Sequence, residues 1–186
     1  IDRIRFVMKE IQDTFEMLFK QSGKEYRRAK LLVFRNEIDT ACGRSSSAIG
    51  PFYCPGDEQA YIDLSFWKDL DRLGDKQDAG DFAQAYVLAH EMGHHLQTVL
   101  GLEKKTRKLG GSKAAKNEAS VRQELQADCY AGVWGHYAAK KNLLEMGDLE
   151  EAVGAAQSIG DDRLQKRGGG EVDPESFTHG TSAQRV

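Results

Sequence analysis

Cysteine, proline and histidine are all scarce in this chain of 186 residues, which holds three, three and five of them. The cysteines, Cys42, Cys54 and Cys129, form no C-x-x-C pair, which argues against a zinc ribbon. No apolar run reaches the about 18 residues of a membrane span. Neither sign of charge dominates. The net charge is -3 and the pI about 6.0, so no strong field draws in nucleic acid or acidic lipid, and no nucleic-acid partner is expected. A hydrophobic share of 40%, a charged share of 30% and a mean hydropathy of -0.58 describe a soluble globular chain, neither disordered nor fibrous. The length suits one domain, 1–186, with a sizeable core. What is present is unevenly placed: three of the five histidines fall between positions 90 and 95.

Apolar residues at helical spacing (Ile4, Val7, Ile11, Phe15, Leu18) predict an amphipathic N-terminal helix over 1–21, stopped by Gly23. Both charge signs on its polar face mark it as core-packing. Leu31 to Phe34 and Ala60 to Leu64 read as strands, and short strands are expected near 47–54. Phe66, Trp67 and Leu70 begin a short helix. The strongest periodic segment is 81–100, with Asp81 as candidate cap and Gly101 as stop. A basic, glycine-containing stretch over 101–113 (Lys104, Lys105, Arg107, Lys108, Gly110) reads as a flexible linker within the domain. A helix is expected over about 114–142. Asp148 with Glu151 suggests a capping box at the start of another. The fold class is therefore α+β, helix-rich, with a small β-sheet. Cys42 and Cys54 would close a short loop. A disulfide there suits an oxidising compartment, and two unpaired thiols are the alternative. Cys129, among small and aromatic residues, reads as a buried thiol.

His90-Glu91-Met92-Gly93-His94 matches H-E-x-x-H. Residues four apart on a helix differ by about 40° around its axis, so both imidazoles project from one face. They form half of a tetrahedral zinc site, and Glu91 lies where its carboxylate reaches water at the metal without ligating it. Gly93 within an apolar helix implies close approach by another segment. His95 points elsewhere and is structural or supporting. The candidate third ligand is Glu124. Asp128, four residues on, faces the same way and is placed to orient a ligating imidazole from behind.

His90 to His95, Glu124 to Trp134, Ile159-Gly160-Asp161-Asp162 and His179-Gly180-Thr181-Ser182, in this order, together resemble the neutral zinc metallopeptidase family of bacteria. Ala41-Cys42-Gly43 and Tyr61 to Leu64 add to the likeness, which runs over most of the chain. The resemblance implies a zincin-like metallopeptidase domain with a downstream glutamate ligand and an extracytoplasmic location. It also implies a membrane anchor, which would lie upstream of Ile1.

The expected activity is zinc-dependent endopeptidase cleavage of a peptide or protein substrate. Zn2+ is held by His90, His94 and Glu124, a zinc-activated water attacks, and Glu91 is general base. His179 beside Gly180 is the candidate oxyanion donor, with His136 and Tyr137 as weaker alternatives. His136 otherwise reads as a helix-surface residue. The stretch Ser47–Tyr53 is the candidate edge strand for holding substrate, with Phe52 and Tyr53 shaping a pocket. Two rival readings are a non-catalytic zinc-binding adaptor domain that binds peptides, and a helical interaction module in which H-E-x-x-H is accidental. Nucleophilic serine or cysteine chemistry has little support, since Ser45 to Ser47 lack a positional partner and Cys129 reads as buried.

Overall fold

The computed structural model describes residues 2–73, 80–107, 111–169 and 171–186. Helix α1 (Asp2–Gln21) buries Met8, Ile11, Phe15 and Phe19 on one face. Gly23, at a φ of 68°, ends it as the spacing predicts, because that turn is left-handed. Strands β1 (Lys30–Phe34), β4 (Phe52–Cys54) and β5 (Gln59–Asp63) form a sheet of order β1-β5-β4. The β1–β5 pair is parallel and β4–β5 antiparallel, with Phe52 opposite Tyr61. A separate hairpin joins β2 (Glu37–Thr40) to β3 (Gly43–Ser46). The Cys42–Cys54 disulfide ties its turn to β4.

Helix α2 (Phe66–Leu73) follows the sheet, then α3 (Asp81–Val99), α4 (Leu102–Arg107), α5 (Lys113–Lys140), α6 (Asp148–Ser158) and α7 (Asp161–Arg167). Helix α3 is buried on nearly every side, against α1, α5, α6 and the sheet. Its Gly93 allows the closest approach. A Cβ there would lie 2.8 Å from the Ala127 backbone of α5. Near its start, Phe82 stacks on Trp134 of α5 at 5.6 Å. The architecture is α+β and helix-rich, as the pattern predicts. Among the described residues no helix is long and apolar enough to cross a membrane.

Several local expectations need correction. Residues 102–107 of the expected linker are helical, while Lys108 and Gly110 lie outside the described residues. The N-cap of α6 is Gly147 rather than Asp148, which is already helical. Glu151 accepts from the Phe82 amide at 3.1 Å, so its carboxylate caps α3 instead of its own helix. Gly80, not Asp81, is the N-cap residue of α3. Cys129 is exposed: Ala127 and Ala131 are the buried residues of that turn, and a residue two positions from either faces away on a helix.

Candidate metal centre

Helix α3 presents Val87, His90, Glu91, His94 and Gln97 along one wall of a cavity of about 650 Å³. Glu124 of α5 forms the facing wall, and Ser47 to Tyr53 run along the rim. The Gly93–Ala127 contact sets α3 against α5 at this level, which brings Glu124 to the histidines. His90 Nε2 lies 3.1 Å from Glu124 Oε2, and His94 Nε2 lies 3.4 Å from Glu124 Oε1. Tetrahedral zinc with ligand bonds of about 2.0–2.1 Å needs neighbouring donor atoms about 3.3 Å apart. One donor atom from each of the three residues lies within 4.8 Å of the others, and the set fits a divalent cation.

Each imidazole is held from behind. His90 Nδ1 is 2.7 Å from Asp128 Oδ1, and His94 Nδ1 is 3.0 Å from Gln97 Oε1. An acceptor at Nδ1 puts the ring proton there and turns Nε2 toward the site. Burial disfavours the His90 cation, but the carboxylates of Asp128 and Glu124 more than offset it and carry its pKa up to about 10. Burial likewise works against charge on Glu124. Its bonds from His90 and His94 nevertheless hold the carboxyl far below the usual range. Both directions arise because two imidazoles and a carboxylate converge within 3.1–3.4 Å.

Glu91 is the exception. Burial pushes its carboxyl up, above the ordinary value, despite the nearby histidines. Among the described residues its side chain makes no hydrogen bond. It faces the cavity without a structural partner.

The tail brings His179 to the same cavity. Asp161 accepts from the backbone amides of Thr178, His179 and Gly180 at 2.8, 2.6 and 3.0 Å. Asp162 accepts from the Ser182 amide at 2.6 Å and its hydroxyl at 2.8 Å. The two Asp–tail contacts explain physically why those sequence blocks occur together. His179 Nδ1 lies 3.2 Å from Asp161 Oδ1, and among the described residues Nε2 has no hydrogen-bond partner. His136 is exposed on α5, and neither it nor Tyr137 lines this cavity. His95 is fully buried beside the site and supports it. Its ring nitrogens meet the Tyr53 hydroxyl at 3.0 Å and the Arg27 carbonyl at 2.5 Å, pinning β4 to α3.

Three residues at the site escaped the sequence reading: Gln97, behind His94, and two around Asp128. The Tyr86 hydroxyl donates to Asp128 Oδ1 at 2.5 Å, and Arg185 binds both oxygens of Asp128. Tyr86 lies four residues before His90, a helical spacing that could have marked it. Nothing local marks Arg185.

An α+β domain with an H-E-x-x-H helix and a glutamate facing it from a second helix defines a metal-binding domain of metallopeptidase type. Residues 2–186 match the model of the family described as "Putative neutral zinc metallopeptidase", and the chain belongs to that family. It is 53% identical over 182 residues to "Uncharacterized protein YpfJ" of Escherichia coli (strain K12), covering 96% of this chain and 62% of that one. It is 39% identical over 198 residues to "Uncharacterized protein Rv2575" of Mycobacterium tuberculosis (strain ATCC 25618 / H37Rv), covering 99% and 66%. The chain thus spans a little under two thirds of the length of these curated relatives. No solved structure matches it.

Proposed function

We propose that this domain is a zinc-dependent endopeptidase acting on peptide or protein substrates, with Glu91 as general base. Glu91 carries the reading. A buried carboxylate with a raised pKa and no hydrogen bond, aimed into a cavity at a metal-ligand cluster, is suited to moving protons. A domain that held zinc only for structure, or an adaptor that bound peptides without cutting them, has no task for it.

Held by His90, His94 and Glu124, zinc supplies Lewis acidity to the substrate carbonyl and makes water more acidic at neutral pH. Glu91 takes the proton of the attacking water and returns it to the leaving amine. Asp128 and Gln97 keep the two imidazoles turned to the site. His179, with Nδ1 held by Asp161, donates from Nε2 to the developing oxyanion. Among the described residues strand β4 pairs with β5 alone and borders the cavity, so a peptide adds along its other edge. This arrangement supports the reading of a zincin-like domain.

The same reading places the domain on the extracytoplasmic side of a bacterial membrane, anchored through a segment preceding it in the whole protein. The Cys42–Cys54 disulfide supports it, because such bonds persist in oxidising compartments. Thiol labelling of intact cells tests the location: a bridged pair in the native protein is expected, and free thiols would overturn it.

Glu91→Gln should keep stoichiometric zinc and lose about 10²–10⁴-fold in cleavage of a peptide library. Equal activity in the variant would sink the general-base role. Glu124→Ala should lower zinc content by elemental analysis, and unchanged zinc would move the third-ligand assignment elsewhere.

A further inference from the structure

We propose that Arg185 is a positioning residue of the metal centre: through Asp128 it sets the orientation of His90. The segment Thr178–Arg185 is thereby a working part of the site. The proposal rests on the metallopeptidase reading above.

The Arg185 guanidinium is almost wholly buried, with 1% of its side chain exposed. A buried cation is costly unless it is paired in good geometry. Arg185 Nε donates to Asp128 Oδ2 at 2.9 Å and Nη2 donates to Oδ1 at 3.0 Å. The fork engages both oxygens, so it fixes the plane of the carboxylate as well as its charge. Nη1 donates to the Ile159 carbonyl at 3.4 Å, and Nη2 lies 3.4 Å from both the Tyr86 hydroxyl and His90 Nδ1. With its proton given to Asp128, Nδ1 is a donor like Nη2, so that last approach makes no bond and the link to His90 runs through the carboxylate. The Ile159 and Tyr86 contacts tie the fork to α3 and to the end of α6.

Asp128 Oδ1 is the oxygen that His90 Nδ1 meets at 2.7 Å and that Tyr86 meets at 2.5 Å. With the carboxylate plane fixed, Oδ1 has one position. The His90 ring then has one orientation that keeps its Nδ1 bond, and that orientation holds Nε2 3.1 Å from Glu124. A carboxylate free to turn would let the imidazole follow it and would loosen the donor set. The chain delivers this fork through the tail that Asp161 and Asp162 bind, the same tail that carries His179 into the cavity. A single segment therefore supplies one residue to the cavity and another behind His90.

The experiment measures zinc release to a chromophoric chelator, together with the visible absorption of the cobalt-loaded protein. In Arg185→Met, zinc should leave about 10–100-fold faster and the cobalt bands should change, while the far-ultraviolet circular dichroism stays native. Arg185→Lys keeps the charge without the fork, and its release rate should fall between the two. In an Asp128→Asn background, Arg185→Met should add less than about twofold, because its effect passes through Asp128. A native release rate and native cobalt bands in Arg185→Met would overturn the proposal, as would an undiminished effect in the Asp128→Asn background. If Arg185→Met does not fold, the lysine variant decides: faster release supports the fork, and native release overturns it. A native protein that takes up no zinc overturns the metallopeptidase reading and this proposal with it. A zinc protein whose release ignores Arg185 overturns this proposal alone.

Discussion

At the scale of single residues, Gly93 explains how two helices separated in sequence come to share one ion site. It lies between the two histidines on α3, and the α5 backbone it admits, at Ala127, lies between Glu124 and Asp128. Adding one methyl group must push the helices apart where the donor atoms converge. Gly93→Ala should cost about 1–3 kcal/mol in chemical denaturation and lower zinc content together. Full zinc occupancy in a destabilised variant would show that the spacing at this crossing does not control the site. Gly93 is legible in sequence because a glycine is out of place in an apolar helix. The small and aromatic neighbours of Cys129 suggest a buried thiol, but the buried Ala127 and Ala131 lie on a different face of α5 from its own side chain. Arg185 was illegible altogether. Its partner Asp128 lies 57 positions away, and no spacing rule connects a tail to the back of a histidine.

At the scale of elements, α3 begins without a capping side chain of its own, since Gly80 occupies the N-cap. Glu151 of α6 reaches across to the Phe82 amide, where a carboxylate also favours the positive end of the helix dipole. Glu151→Ala should therefore destabilise the domain by about 0.5–2 kcal/mol in urea unfolding while leaving zinc content unchanged. A null effect would remove the cross-helix cap. The hairpin β2–β3 was absent from the sequence reading for a physical reason. Its residues are mostly polar and none is buried, so no apolar alternation reports it. Its place depends on the disulfide and on the Ala41 amide donating to Asp57 at 3.2 Å. Replacing Cys42 and Cys54 by serine should cost about 2–4 kcal/mol and raise KM more than it lowers kcat, because the bridge holds the β4 edge. An unchanged KM would detach the bridge from substrate binding.

At the scale of the molecule, the donor set couples metal binding to folding, since the native state presents it and the unfolded chain does not. Zinc at about one hundred times its dissociation constant adds about 2.7 kcal/mol, which corresponds to a rise in Tm of about 5–10 °C. Chelation should reverse that shift, and a Tm indifferent to zinc would argue against the site. Acid should act through Asp63. Its carboxylate accepts from the Ser65 and Asn36 amides, and these bonds hold its pKa below the usual value despite burial. A depressed folded pKa contributes stability that is present above about pH 4 and is lost as pH falls through the folded value. The Tm difference between the native protein and Asp63→Asn should accordingly be largest above pH 4 and shrink below it. A difference independent of pH would refute the linkage.

The local, periodic features were determined by the sequence alone: the amphipathic α1, the long helices α3 and α5, the core strands, and the pairing of His90 with His94 on one face. These follow from repeats of about 3.6 or 2 residues that any reader of the chain can count. Glu124 and Asp128 were readable as a second pair four apart. Tertiary structure alone decided what faces the pairs and what lies behind them. The Gly93 crossing set the distance between the helices, β4 came to the rim through His95 and the disulfide, and the tail returned to place His179 and Arg185. Those contacts join residues far apart in the chain and are selected by packing and by the cost of burying unpaired charge, neither of which leaves a local pattern.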